Sequence, residues 1–221
     1  EQLDGTWSDR TTWLLRTDWK IQLNPNWRLL GKLHYSDSES SLGSLYDGGY
    51  TEGVVGYAYR PVEHDRLNVL AKYTYFYNVP GLDSFSAGSV SSRFLQKSHV
   101  AAVDVSYEID ENWSLGSKYA YRLGQVSLER ESPEFFDNNA HLYVARIDRR
   151  FGERYEASIE LRLLDLPDIE ESRSGAMLSV YRRVGDHLKV GVGYNFTDFS
   201  DDLTDLGYDH QGVFLNLIGT L

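Results

Sequence analysis

The feature that most constrains this chain is a two-residue period of apolar side chains, which recurs in eleven segments of roughly ten residues each. The first segment places one set of residues on one face, Trp13, Leu15, Thr17, Trp19, Ile21 and Leu23, and another set on the opposite face, Leu14, Arg16, Asp18, Lys20 and Gln22. A period of two separates these sets, whereas the helical period of 3.6 would mix them. We therefore predict eleven β-strands, each with one apolar and one polar face.

The connections between these segments alternate between short and long. The short ones lie at 24–26, 61–65, 110–112, 152–154 and 185–187, and the long ones near 37–49, 78–96, 124–138, 165–173 and 197–210. Short turns at one end and long loops at the other are typical of bacterial outer-membrane barrels, whose turns face the periplasm. The sequence thus predicts an all-β, antiparallel transmembrane β-barrel of the outer membrane, with extracellular loops and a periplasmic C-terminus.

Aromatic residues favour a membrane protein, although no apolar run reaches the ~18 residues of a transmembrane helix and the mean hydropathy is −0.44. The chain has 16 Tyr, 9 Phe and 5 Trp, and Tyr and Trp collect at membrane–water interfaces. We expect two aromatic girdles at the strand ends, made by Trp27, Tyr35, Tyr59, Tyr75, Tyr77, Tyr107, Trp113, Tyr121, Tyr155, Tyr194 and Phe196. The alternative is a soluble β-sandwich or barrel, which also alternates but buries its apolar face.

Charge and cysteine content exclude some function classes. The formal net charge of −11 argues against a nucleic-acid partner. The absence of cysteine rules out disulfides and thiolate metal sites within the chain. We expect no cofactor.

The strand count predicts one more strand than the chain contains. Barrels of a single bacterial chain have an even number of strands, and an unpaired edge in lipid is unfavourable because its backbone groups lack hydrogen bonds. We therefore expect twelve strands in the intact protein, with the missing one upstream. Residues 1–221 then form a single barrel domain, in which 1–10 are the remnant of an extracellular loop after that first strand.

Several segments carry a family resemblance. Several segments resemble the C-terminal outer-membrane β-barrel domain of large repeat-containing surface proteins of Gram-negative bacteria: LDLPD and SRSGAMLSVYRRVGDHLKVGVGYNFTDFSDDLTDLGYDHQGVFLNLIGTL, together with RTTWLLRTDWKIQLNP, AKYTYFYNVP, KYAYRLGQVSLERESPEFFDN and YRPVEHDRLN. The resemblance implies a membrane anchor with upstream domains and brings no activity with it. Val213, Leu215, Leu217 and Leu221 also resemble the C-terminal signal for the barrel-assembly machinery, although that signal usually ends in an aromatic residue.

The polar faces of the strands predict a charged interior. The basic set is Arg16, Lys20, Arg28, Lys32, Arg60, Lys72, Lys118, Arg122, Arg146, Arg150, Arg162, Arg183 and Lys189; the acidic set is Asp18, Glu52, Asp104, Glu108, Asp148, Glu156 and Glu160. These side chains could fill a narrow barrel as a cross-strand network of ion pairs. Alternatively, the excess of basic residues could give a small, anion-preferring, porin-like channel.

The last loop is acidic and suggests weaker alternatives. Asp198, Asp201, Asp202 and Asp205 could bind a hard cation, but we expect a solvated loop, bridged to lipopolysaccharide by divalent cations. An outer-rim hydrolase could use Asp209 and His210 with Asp201 and Asp202 across the loop, or a lipase-type set could involve His34 and Ser36.

The function that we predict from the sequence is an outer-membrane barrel that anchors or displays an upstream surface domain, with an interior filled by ion pairs. Its expected partners are outer-membrane lipid, lipopolysaccharide, the barrel-assembly machinery and the upstream domains. The channel is the first alternative and the hydrolase the second.

Overall fold

The computed structural model describes residues 2–3, 6–7, 10–40, 48–77, 95–128, 132–185, 188–204 and 211–219. The strands are β1 (Gln2–Leu3), β2 (Thr6–Trp7), β3 (Arg10–Asn24), β4 (Trp27–Ser40), β5 (Gly48–Tyr59), β6 (Leu67–Tyr77), β7 (Leu95–Glu108), β8 (Trp113–Ser127), β9 (Phe136–Asp137), β10 (Ala140–Phe151), β11 (Tyr155–Leu166), β12 (Glu171–Val184), β13 (Leu188–Asn195) and β14 (Gly212–Gly219). A 3-10 turn, Pro167–Ile169, joins β11 to β12. In these residues no helix has the length and apolar character needed to cross a membrane.

The eleven long strands form one antiparallel sheet in which each pairs with its neighbour along the chain, from β3 to β14. The two-residue strand β9 pairs only with β8, and β1 pairs with β2 as a separate hairpin. The predicted all-β antiparallel meander is therefore confirmed. Within the described residues β3 and β14 do not pair with each other, so the sheet is open between them. The twelfth strand and the assignment of residues 1–10 stay predictions.

The register sorts side chains into an apolar outward face and a more polar inward face. One outward row is Leu67, Tyr107, Leu115, Ile147, Ile159, Leu178, Tyr194 and Val213, each paired with the next across the sheet. The adjacent inward row is Asn68, Ser106, Gly116, Arg146, Glu160, Met177, Asn195 and Gly212. An exposed apolar band that runs across eight strands requires an apolar environment. The sheet therefore has the strand order and side-chain facing of a transmembrane β-barrel, and its outward face is suited to contact with lipid.

Glycines lie directly opposite aromatic residues on neighbouring strands. Gly191 pairs with Tyr181 and Gly193 with Phe214, and in both cases a Cβ on the glycine would overlap the ring. The ring therefore covers the bare backbone of the glycine opposite it, as in other sheets where an aromatic residue compensates for a glycine. These pairs join the last three strands of the sheet.

One predicted long loop is wrong. The stretch 165–173 contains a connection of only residues 167–170, because β11 continues to Leu166, β12 begins at Glu171, and these two residues pair. Glu170 adopts a left-handed backbone with φ of 54°, and its N–H donates to the Pro167 carbonyl at 3.3 Å. The polar residues near these strand ends have the composition of a loop, and the sequence therefore predicted one, but they remain paired in the sheet.

Candidate functional site in the barrel interior

The segment that follows β13 folds over the inward face of the sheet. We call residues 197–204 the inner loop. Phe199 and Leu203 are each only 6% exposed. They belong to one apolar cluster with inward-facing residues of β6, β7, β8 and β10: Phe76, Val100, Ala102, Ala120, Ala140, Leu142 and Val144. The expectation of a solvated loop is wrong for this segment, because its two large apolar side chains are removed from water by packing inside the barrel.

Three basic residues from distant strands hold the inner loop. The Lys72 ammonium of β6 lies 2.9 Å from Asp202 Oδ2, Lys118 Nζ of β8 donates to the Asp201 carbonyl at 2.5 Å, and Arg162 Nη1 of β11 donates to the Phe199 carbonyl at 3.2 Å. Because β6, β8 and β11 all reach this one segment, the sheet must curve around it. The inner loop therefore fills part of the interior at the long-loop end.

Asp202 is the most strongly bound acidic group of the inner loop. Burial alone would raise the pKa of its carboxyl group. Hydrogen bonds from the Thr204 N–H, from Lys72 and from the Thr204 hydroxyl, together with the positive charge of Lys72, outweigh burial and lower this pKa to about 2. The Asp202 carboxylate is thus fixed in its charged form by partners on both sides.

Below the inner loop, Arg162 forms a buried ion pair on its own strand. Arg162 Nε donates to Glu160 Oε1 at 2.6 Å, and the two side chains are 4% and 6% exposed. Arg162 also supports the inner loop through Phe199, so this one guanidinium links the wall to the loop. A buried pair of this kind is costly to break because the remaining charge would have no partner.

Other predicted interior charges are brought together in smaller groups. Lys32 lies 2.7 Å from Glu52, Arg146 lies 3.1 Å from Asp148, Lys189 lies 2.8 Å from Glu156, and Arg16 lies 3.3 Å from Asp18. Arg28 donates to Gln22, Arg122 to Asn138, and Arg150 to the Glu111 carbonyl. In the part of the chain that the structure describes, these three arginines form no ion pair. The same holds for five other predicted interior residues, Lys20, Arg60, Asp104, Glu108 and Arg183.

The interior is emptier toward the short turns. A cavity of about 250 Å³ is lined by charged residues that include Arg146, Asp148, Glu156, Glu160 and Lys189. A second cavity, of about 700 Å³, is lined by Arg28, Arg60 and Asp104 together with apolar residues such as Leu30 and Leu70. Within the described residues, the inner loop packs against the wall near the long loops, and open space lies near the short turns.

The predicted girdle aromatics lie on the outward face and contact one another. At the short-turn end, the Trp27 ring lies 4.5 Å from the Tyr57 ring and 4.3 Å from the Tyr59 ring, while Trp113, Tyr155 and Phe151 stand beside arginines. Toward the long loops, the ring pairs are Tyr75 with His99, Tyr121 with His141, and Tyr194 with Phe196. At that end Tyr35 is exposed and Tyr77 is half-buried. At the short-turn end Tyr107 is exposed.

The weaker candidate sites are not assembled in the described residues. His34 lies 3.7 Å from carboxylate oxygens of both Asp18 and Glu52, and no hydrogen bond joins it to Ser36. Asp198 faces Arg173 at 3.8 Å, and Asp202 is bound to Lys72. The predicted residues Asp205, Asp209 and His210 lie outside the described part of the chain. Among the residues that are described, no group of three or more His, Cys, Asp or Glu could hold a metal ion.

The sequence interpretation missed the apolar half of the interior. Phe76, Val100, Leu142 and Val144 occupy positions of the polar face, and this break in alternation was the available signal. A second signal was the pair of apolar residues Phe199 and Leu203 inside an acidic loop. Apolar side chains at inward positions require something apolar to cover them.

Comparisons with known proteins give structural likenesses only. No protein-family model matches the chain, and no curated protein matches it. Among solved structures, it is similar to the NanC porin, with a TM-score of 0.49 and 11% identity over 96% of this chain and 95% of that one. It is also similar to the Pseudomonas putida toluene transporter TodX, with a TM-score of 0.46 and 11% identity over 86% of this chain and 72% of that one. A mutant of TodX, a monoaromatic hydrocarbon channel, has a TM-score of 0.43 and 11% identity over 97% and 73% of the two chains.

Proposed function

We propose that this chain is an outer-membrane barrel that serves as a membrane anchor for an attached surface domain, with an interior sealed by its own inner loop. The observation that carries the proposal is the burial of Phe199 and Leu203 in the interior cluster. A barrel that only anchors needs an apolar outward band and a closed interior, and a channel needs a continuous path for water. The packing favours the first.

The ion pairs support a sealed interior. Lys72 is paired with Asp202 of the inner loop, and Arg162 is paired with Glu160 of the wall and also donates to the Phe199 carbonyl of the inner loop. Charges that are paired and hydrogen-bonded have little capacity to bind and release passing ions, which conduction requires. These two paired cations thus serve structure more than transport.

The second candidate is an anion-preferring channel that the inner loop gates. Lys72, Lys118 and Arg162 converge on the inner loop from three strands. If the inner loop left the interior, these cations would line the opening, and basic rings favour anions. The two candidates therefore differ in whether the inner loop opens under ordinary conditions.

Single-channel conductance in a planar bilayer tests the proposal. The full chain should insert and remain silent, whereas a variant with Phe199→Asp and Leu203→Asp, which places charge in the apolar cluster, should produce conductance steps. Shifted mobility on unheated gels would show that both proteins are folded. Steady anion-selective steps from the unmodified protein would instead support the channel and refute the sealed anchor.

Display of an attached domain needs its own experiment. A folded reporter is fused ahead of residue 1, and intact cells are treated with a protease that cannot cross the outer membrane. We expect the reporter to be cleaved from outside while the barrel stays in the membrane. Protection of the reporter in intact cells, with cleavage after the outer membrane is permeabilised, would refute surface display and leave the sealed interior untouched.

A further inference from the structure

Two arginines point outward, toward the membrane, at the short-turn end. Across the outward-facing positions of the eleven long strands, within the described residues, arginine occurs only at Arg149 on β10 and Arg182 on β12. The remaining strand arginines whose side chains are described face inward. A charged group on a lipid-facing surface is costly unless it reaches the headgroup region and finds a partner there.

Both arginines lie over girdle aromatics. The Arg149 guanidinium carbon is 4.7 Å from the centroids of the Trp113 and Phe151 rings, and that of Arg182 is 5.8 Å from the Tyr155 ring. Aromatic girdles mark the level of the lipid headgroups. A guanidinium stacked on a ring still presents its N–H groups sideways, where they can bind an oxyanion.

Neither arginine has an acidic partner within the described part of the chain. By contrast, Arg150, which follows Arg149 and faces inward, donates a hydrogen bond to the Glu111 carbonyl. The outward pair therefore carries two unneutralised positive charges at the level where phospholipid phosphates lie. Arginine and phosphate form short, bidentate, charge-assisted hydrogen bonds.

The strand between the arginines completes the surface. Tyr155 of β11 pairs with Arg182, and Ala157 of β11 pairs with Arg149, so both arginines border one short stretch of β11. Ala157 has a small side chain, and the next outward residue along β11 is Ile159. An acyl chain can lie over Ala157 and Ile159 while its headgroup remains beside the two guanidinium groups.

We propose that Arg149 and Arg182, with Tyr155 between them, form a binding site for the phosphate of an anionic phospholipid in the leaflet at the short-turn end. This inference rests on the membrane placement proposed above. Arginine attracts anionic lipid because its charge near the membrane surface lies in the negative potential of such lipids. A lipid bound here fixes how deeply the barrel sits at that end.

Native mass spectrometry of the folded full chain in detergent micelles tests the site. Phosphatidylglycerol is expected to bind at least about fivefold more tightly than phosphatidylcholine. The double variant Arg149→Gln with Arg182→Gln should lose most of that preference. The matched control is Arg150→Gln with Arg183→Gln, which removes the same charge from neighbouring positions that face inward. It should change the preference by less than twofold.

Three results would overturn the proposal. Equal losses in the outward and inward variants would mean that only net charge matters. Equal binding of the two lipids by the unmodified protein would remove the anionic preference. Displacement of phosphatidylglycerol by millimolar inorganic phosphate would indicate a free-phosphate site. If the double variant does not fold, the single variants Arg149→Gln and Arg182→Gln are each expected to lose part of the preference. Failure of the unmodified chain to insert into vesicles would refute the membrane placement instead.

Discussion

Neutralising Asp202 is expected to release the inner loop from the barrel wall. The pKa of Asp202 falls from the ordinary value of 3.8 to about 2 because Lys72 and Thr204 bind its charged form. A shift of nearly two units corresponds to about 2–3 kcal/mol of stabilisation at neutral pH. Since about 1.4 kcal/mol is a factor of ten, Asp202→Asn should raise the population of opened inner loop by about 30- to 100-fold.

Cysteine labelling measures this population directly. The chain has no native cysteine, so Leu203→Cys supplies one buried thiol that reacts with a maleimide only when the inner loop opens. In that background, Asp202→Asn should label about 30- to 100-fold faster. The control is Asp198→Asn, which removes an exposed carboxylate 3.8 Å from Arg173 and should change the rate by less than twofold. Equal rates for the two variants would refute the claim that the Lys72–Asp202 pair holds the inner loop.

The same pair sets a direction for the effect of pH. Because the pKa of Asp202 is lowered in the folded protein, its stabilisation is fully present above about pH 4 and is lost as the pH falls through about 2. Circular dichroism of tertiary structure in micelles should show a loosened inner loop in that window. Asp202→Asn should remove this part of the acid response.

Three further predictions concern the wall of the barrel. Gly193→Ala should destabilise the protein by about 2 kcal/mol in urea unfolding because a Cβ there meets the Phe214 ring and a backbone carbonyl, whereas Gly53→Ala, with open space around it, should stay within about 0.5 kcal/mol. Arg162→Met should cost about 3–5 kcal/mol in the same assay because it leaves Glu160 charged and buried, and adding Glu160→Gln should restore most of the loss; no recovery would contradict the pairing. Leu161→Arg, on the outward face, should destabilise the protein folded in vesicles by about 2–4 kcal/mol. An unchanged stability would contradict the outward assignment of Leu161.

The strands and their facing could be predicted because they depend on local periodicity. Trp19 and Ile21 alternate with Lys20 and Gln22, and a strand preserves that order whatever surrounds it. The register between neighbours then follows from short turns, as at the connection after Asn24. The outward face was therefore readable from the sequence alone.

The position of the inner loop could not be predicted from local patterns. The position of this loop depends on packing between Phe199 and residues such as Phe76, which lies more than one hundred positions away in the sequence. Its acidic composition suggested solvent, but Lys72 and backbone donors compensate the buried charge of Asp202. The turn at Pro167–Ile169 was hidden for a different reason, since polar residues continue the strands past the apolar band.

The glycine–aromatic pairs bear on how the sheet is assembled. A strand that slipped by one residue would turn its lipid-facing side chains into the interior. At Gly191 and Gly193, however, the rings of Tyr181 and Phe214 can lie flat only when glycine is directly opposite. A one-residue slip would set each ring against a residue with a side chain, and the strands could not approach. The last three strands thus carry a steric barrier against a one-residue slip during insertion.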